Sequence, residues 1–184
     1  MCIRDRCLEI GEDGTGLPDA NAFITQEWCR GYWSDRGKEF RGCTDDQIQA
    51  AIIRATQFIS EGYAWKGYRI KRRPPESTKQ ALTWPRFDAS DEEGNTVEFD
   101  AIPLEIRQAT AEAAHYELEN PGGLQPHFVA HQKVSKLRAG SVEVDYDARS
   151  GRAAGARPVL LLVEDLVSRF VAGGSGLSRT AVRA

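Results

Sequence analysis

Thr44-Asp-Asp-Gln-Ile-Gln-Ala-Ala-Ile-Ile-Arg-Ala-Thr-Gln-Phe-Ile-Ser-Glu-Gly62 reads as one amphipathic helix. Thr44 and Gln47 have capping-box spacing, and Asp45 and Asp46 place negative charge where a helix dipole is positive. Ile48, Ile52, Ala55 and Ile59 recur at helical spacing, with Ala51 and Phe58 on the flank. Gly62 is a C-cap candidate. A long helix with one apolar stripe needs partners for that stripe, so the flanking sequence should supply more helices.

Upstream, Thr25 is an N-cap candidate for a helix running to about Gly37, with Trp28, Cys29, Tyr32 and Trp33 as apolar positions. Before it, Gly11-Glu-Asp-Gly-Thr-Gly-Leu-Pro-Asp19 is dense in turn formers, and residues 7–24 read as an extended, ordered arm. Downstream, a short helix is expected from Ser77 to Leu82, ended by Pro85 in Trp84-Pro-Arg86. The acidic Asp91-Glu-Glu-Gly-Asn95 reads as a turn. Another helix should start at Pro103, with Ile102, Ile106, Ala109, Ala113 and Tyr116 on one face and an end at Asn120-Pro-Gly-Gly123.

Residues 133–146 change to a period of two around Ala139-Gly140, the pattern of a β-hairpin. Residues 147–157 read as a loop. The last helix, about 158–172, places Val159, Val163, Leu166, Phe170 and Val171 on one face, and 173–184 is expected to be a flexible tail. The fold class is therefore mainly α: one small helical domain over 25–172, with about four main helices and one hairpin near 133–146. Met1-Cys-Ile-Arg-Asp-Arg6 is similar to the in-frame reading of a transposase adapter used for shotgun libraries, which places the expected native start near Cys7 or Leu8.

A chain of 184 residues with 41% hydrophobic and 28% charged content can bury a core without metals or disulfides. No apolar run approaches the roughly 20 residues of a membrane span, and Pro158-Val-Leu-Leu-Leu-Val163 stops at Glu164. Cys2, Cys7, Cys29 and Cys43 form no C-x-x-C pair, so core thiols in a reducing compartment are expected, with a Cys29–Cys43 disulfide as the alternative. The net charge of −3 hides an asymmetry: residues 66–86 carry seven basic groups and one acid, and residues 87–120 carry ten acids and one base. Adjacent blocks of opposite sign suit self-association or a nucleic-acid path.

Catalytic signatures are missing: there is no G-x-S-x-G, H-E-x-x-H or Walker loop, and no enzyme activity or cofactor is expected. Gly14-Thr-Gly16 lacks a preceding strand and reads as a turn, with Asp13 and Asp19 capping it. His127 and His131 have helical metal-ligand spacing but no evident third ligand, and the acids at 91–93 lack the alternation of a calcium loop, so no metal is expected. Trp65-Lys-Gly-Tyr-Arg-Ile-Lys-Arg-Arg73 is the strongest local signal. Lys66, Arg69, Lys71, Arg72 and Arg73 supply positive charge, and Trp65 and Tyr68 supply stacking faces, the combination found in single-strand binders. Five phosphate contacts would give a log K against log salt slope of about −3.5. The same residues also suit a structural Trp in the core beside a solvated basic loop, which is the stronger reading, or a subunit contact with the acids of 88–100. Trp84, Pro85 and Arg86 read as architectural, with Arg86 expected to pair with an acid such as Asp88 or one from the helix that starts at Pro103.

The ordered series Glu12-Asp-Gly-Thr-Gly-Leu-Pro-Asp-Ala-Asn-Ala-Phe23, Ala55-Thr56, Tyr63, Trp65-Lys-Gly67, Gln80-Ala-Leu-Thr-Trp-Pro-Arg86, Ile102-Pro103 and Val142-Glu-Val-Asp-Tyr146 resembles a family of phage and prophage proteins called DnaT-like single-stranded DNA-binding proteins. The resemblance covers about residues 9–172. It also extends to the head–tail adaptors of tailed phages, small helical proteins that assemble as a ring under the portal. The resemblance implies a virion structural protein at the head–tail junction, made in the host cytoplasm. Its implied partners are further copies of itself, the portal and tail-side connector proteins, with weak contact to passing DNA. The alternative it implies is a replication accessory that binds single strands through 65–73. The adaptor reading expects Trp65 and Trp84 to be buried. The binding reading expects Trp65 or Tyr68 to be exposed beside the cations.

Overall fold

The Thr44 capping box forms as its spacing requires: Thr44 Oγ1 accepts the Gln47 N–H at 3.3 Å, and the Thr44 N–H donates to Gln47 Oε1 at 2.8 Å. The computed structural model describes residues 9–70, 80–125, 136–139, 142–145 and 158–172. Four helices, α1 (Gln26–Ser34), α2 (Asp45–Gly62), α3 (Leu104–Glu119) and α4 (Leu161–Ser168), lie among them. They are joined by two ladders, β1 (Tyr68–Arg69) with β2 (Arg86–Phe87) and β3 (Lys136–Ala139) with β4 (Val142–Asp145). The architecture is mainly α.

The α2 stripe Ile48, Ile52, Ala55 and Ile59 is buried, and α3 packs against it. That helix carries small residues around much of its circumference, with Ala109, Ala111, Ala113 and Ala114 all buried. Short side chains let neighbouring helices approach closely on more than one side, and α1 and α4 both use this. Replacing Thr44 with Ala removes one half of the capping box. It is expected to lower stability by about 1 kcal/mol, with an unchanged denaturant slope.

The β3–β4 hairpin pairs Lys136 with Asp145 through Ala139 with Val142, within the expected 133–146. Cys29 and Cys43 are free thiols, and burial pushes Cys29 up to about 12, so it stays protonated at neutral pH.

Other expectations are corrected. Residues 80–82, the described part of the expected 77–82 helix, are not helical. The Ala81 N–H donates instead to the distant Leu17 O, in place of a helical ladder bond, and the Gln80 side-chain amide donates to Pro85 O at 2.8 Å. Pro85 follows a cis Trp84–Pro85 peptide rather than closing a helix.

The described part of the expected arm, residues 9–24, turns back on itself. Gly11 bridges Ala22, and Ala22, Phe23 and Ile24 enter the core. The Glu12 carboxylate holds the turn by accepting the N–H groups of Gly14, Gly16 and Leu17.

The last helix is shorter than 158–172. Val159 precedes it and is exposed, while Val167 joins Val163 and Phe170 in the core. Past the helix, Ala172 N–H donates to Ala64 O and Lys66 N–H to Phe170 O, so this segment pairs as a strand with 64–66.

Candidate nucleic-acid interface

Two elements distant in sequence build the basic–aromatic site. After α2, the chain runs through Trp65, which is 8% exposed and donates Nε1–H to Ser60 O at 3.2 Å. Its ring meets Trp84 edge-on at 5.7 Å, and Trp84 meets Phe170 edge-on at 5.6 Å. Trp84 is 0% exposed and Pro85 is fully buried beside it. This edge-on series of rings forms an aromatic floor next to β1 and β2 in the chain, Trp65 preceding β1 and Trp84 preceding β2.

Gly67 allows the two strands to meet. It has φ of +71°, and a Cβ there would lie 2.4 Å from Phe87 O and 2.7 Å from Ala89 N. Only glycine fits both the left-handed conformation and that approach.

Arg86 then fastens the crossing from below. Its guanidinium donates to the carbonyls of Lys66 (2.6 Å), Gly67 (2.5 Å), Thr83 (3.1 Å) and Trp65 (3.3 Å). A five-donor fork can reach these main-chain oxygens together.

The ladder pairs Tyr68 with Phe87 and Arg69 with Arg86. Tyr68 is 54% exposed and Phe87 59%, and as directly paired residues they share one face of the ladder, with Arg69 and Arg86 on the other. Arg69 is also exposed. Lys71, Arg72 and Arg73 lie outside the described residues, as do His127 and His131.

Lys66 is placed differently from its basic neighbours. Its ammonium donates to Arg169 O at 2.8 Å and to Ser90 O and Asp91 O at 3.3 Å, tying the start of β1 to the acidic turn and the end of α4. Its charge satisfies carbonyls within the fold. The acidic turn is likewise internally organised: Asp91 accepts the N–H groups of Glu93 and Asn95 and the Asn95 side-chain amide. Those bonds, led by the Asn95 side chain, hold the Asp91 carboxyl below the usual carboxylate range.

Of the residues singled out in the sequence, the structure therefore gathers Tyr68 and Arg69 at a surface and withdraws Trp65 and Lys66 beneath it. Trp65 and Trp84 are both buried, as the adaptor reading expects, and Tyr68 is exposed beside Arg69, as the binding reading expects.

Phe87 is the residue sequence reasoning missed. It follows Trp84-Pro-Arg86 directly, and an aromatic at the junction of a basic and an acidic block was the available signal. Its pairing with Tyr68 is a long-range contact with no local pattern. Among the described residues there is no group of three or more metal-ligating side chains.

No curated protein matches the chain, and no solved structure does. The model of one family, described as "Putative DnaT-like ssDNA binding protein", matches residues 10–184. That span takes in the N-terminal turn, the aromatic floor and both ladders, and the chain belongs to that family.

Proposed function

We propose that the protein binds single-stranded DNA across the β1–β2 ladder. The observation that carries this reading is the exposed Tyr68–Phe87 pair beside Arg69. Exposed rings on a ladder whose next residue is an exposed arginine suit unpaired bases, whose faces are free, better than a duplex, whose bases are stacked away. Arg69 meets a phosphate, and Lys71, Arg72 and Arg73, which follow it in sequence, extend the contact along the strand. The family description agrees with this chemistry.

Fluorescence anisotropy with a labelled single strand tests the proposal. Tyr68→Ala and Phe87→Ala are each expected to weaken binding roughly tenfold, within the ~1–3 kcal/mol typical of one base–aromatic stack. Because Lys66 serves the fold, four cations remain, and log K should fall with log salt at a slope of about −2.8. Equal affinity of both variants and wild type, or a preference for duplex, rejects the interface.

A second reading is structural: a head–tail adaptor that assembles as a ring below the portal, contacting the portal and tail-side connector proteins in the virion. Leu161 and Leu162 on α4 favour it, at 68% and 53% exposed, because such apolar side chains suit a subunit contact. So does the split of charge between 66–86 and 87–120, since a ring joins two different surfaces of one chain. Sedimentation analysis separates the two readings. A monomer that binds single strands supports the first, and a ring disrupted by Leu161→Glu/Leu162→Glu supports the second. Neither reading assigns a catalytic step or a cofactor.

A further inference from the structure

Away from the β1–β2 ladder, a cleft of about 340 Å³ opens between the N-terminal ends of α1 and α3. Trp28 lines it from α1 and Arg107 from α3, and residues 11–14 and 100–102 close its sides. The two loops touch: Gly14 has φ of +99°, and a Cβ there would lie 1.9 Å from Asp100 O. Both walls are therefore fixed by backbone packing.

The Arg107 guanidinium carbon lies 4.5 Å from the centre of the Trp28 ring. That cation–π contact is its side chain's interaction among the described residues, where no carboxylate or carbonyl meets its N–H groups. The side chain is partly withdrawn from water, and burial presses its affinity for the proton below the usual arginine value. Among the described residues Arg86 meets four carbonyls, Arg30 meets Asp45 and Arg169 meets Glu105, whereas Arg69 stands exposed in solvent. A fork of N–H donors held over a ring, with its edge unspent, is arranged for a planar two-oxygen acceptor.

We propose that this cleft binds a carboxylate carried on a short apolar stem, with Arg107 gripping the two oxygens and Trp28 and Ile102 contacting the stem. The rim sets the charge. The nearby Glu12 carboxylate is occupied by three main-chain N–H groups, and Asp13 accepts from Thr15, but both remain acids beside the opening, as does Asp100. The three acids oppose any anion, so binding depends on direct contact with Arg107, and a dianion such as phosphate meets twice the repulsion of a single carboxylate. The volume also suits a small acid rather than a nucleotide strand.

Calorimetric titration of the full chain with benzoate, N-acetylleucine and inorganic phosphate, at constant ionic strength, tests this. The expected result is saturable 1:1 binding of both carboxylates, tighter than phosphate, with roughly tenfold or greater loss in Arg107→Gln. Tighter binding of benzoate or of N-acetylleucine distinguishes a free aromatic acid from a peptide chain end as the source. No saturable binding, phosphate bound more tightly, or an unaffected Arg107→Gln overturns the proposal. Should Arg107→Gln fail to fold, the arginine Nε–Hε resonance of the wild-type protein decides: it must shift with benzoate, and an unmoved resonance overturns the assignment.

Discussion

Trp84→Ala is expected to lower the free energy of unfolding by about 3–5 kcal/mol, the largest effect of any single side-chain truncation in this fold. Trp84 is completely buried and is the middle ring of the edge-on series Trp65–Trp84–Phe170. Truncation removes its transfer energy and leaves a cavity between rings that cannot collapse together. Phe170 lies where the chain after α4 pairs with 64–66, so the same cavity loosens the strand-like junction at Lys66 and Ala172. Trp84→Phe keeps most of the ring contact and should cost markedly less. Urea denaturation of both variants checks this. A Trp84→Ala protein as stable as wild type would show that the aromatic floor is not part of the cooperative core.

Arg86→Ala comes next, with an expected loss of about 2–4 kcal/mol from charge-assisted hydrogen bonds to four carbonyls. Arg86→Lys should rescue little, because an ammonium has three donors and no planar fork with which to meet the four carbonyls that Arg86 reaches. The cross-strand partner Arg69 provides the control. It is exposed, so Arg69→Ala should leave stability within about 0.5 kcal/mol. If Arg69 meets a phosphate, the same change flattens the salt slope of single-strand binding by about 0.7. The two arginines thus face each other in one ladder and are expected to separate fully, one acting on stability and the other on binding. Loss of binding in Arg69→Ala with no change in salt slope would place its contribution somewhere other than at a phosphate.

Arg86 and Lys66 show why the site was only partly legible in the sequence. Both belong to the basic block 66–86, and composition treats each as positive charge available to a partner. Burial and hydrogen bonding decide otherwise: Arg86 is consumed by the carbonyls of 65–67 and 83, and Lys66 by those of 90, 91 and 169. Those acceptors are main-chain atoms, so no residue type in the sequence advertises them. Phe87 escaped notice for the related reason that its importance lies in facing Tyr68. The expected helix over 77–82 failed in its described part because Gln80 and Ala81 find partners at Pro85 and Leu17.

The sequence by itself determined α1, α2 and α3. The capping box at 44–47, the N-cap at Thr25, the proline at 103 and the apolar spacing of α2 and α3 act over three or four residues, so their outcome is written where they stand. Only the tertiary structure decided which cations and aromatics remain at the surface. That outcome depends on contacts closed between distant segments: Gly67 against Phe87, Arg86 against 65–67, and Phe170–Ala172 against 64–66. A local pattern fixes a backbone hydrogen bond within its own turn, whereas the exposure of a side chain is fixed by whatever the rest of the chain brings to lie upon it.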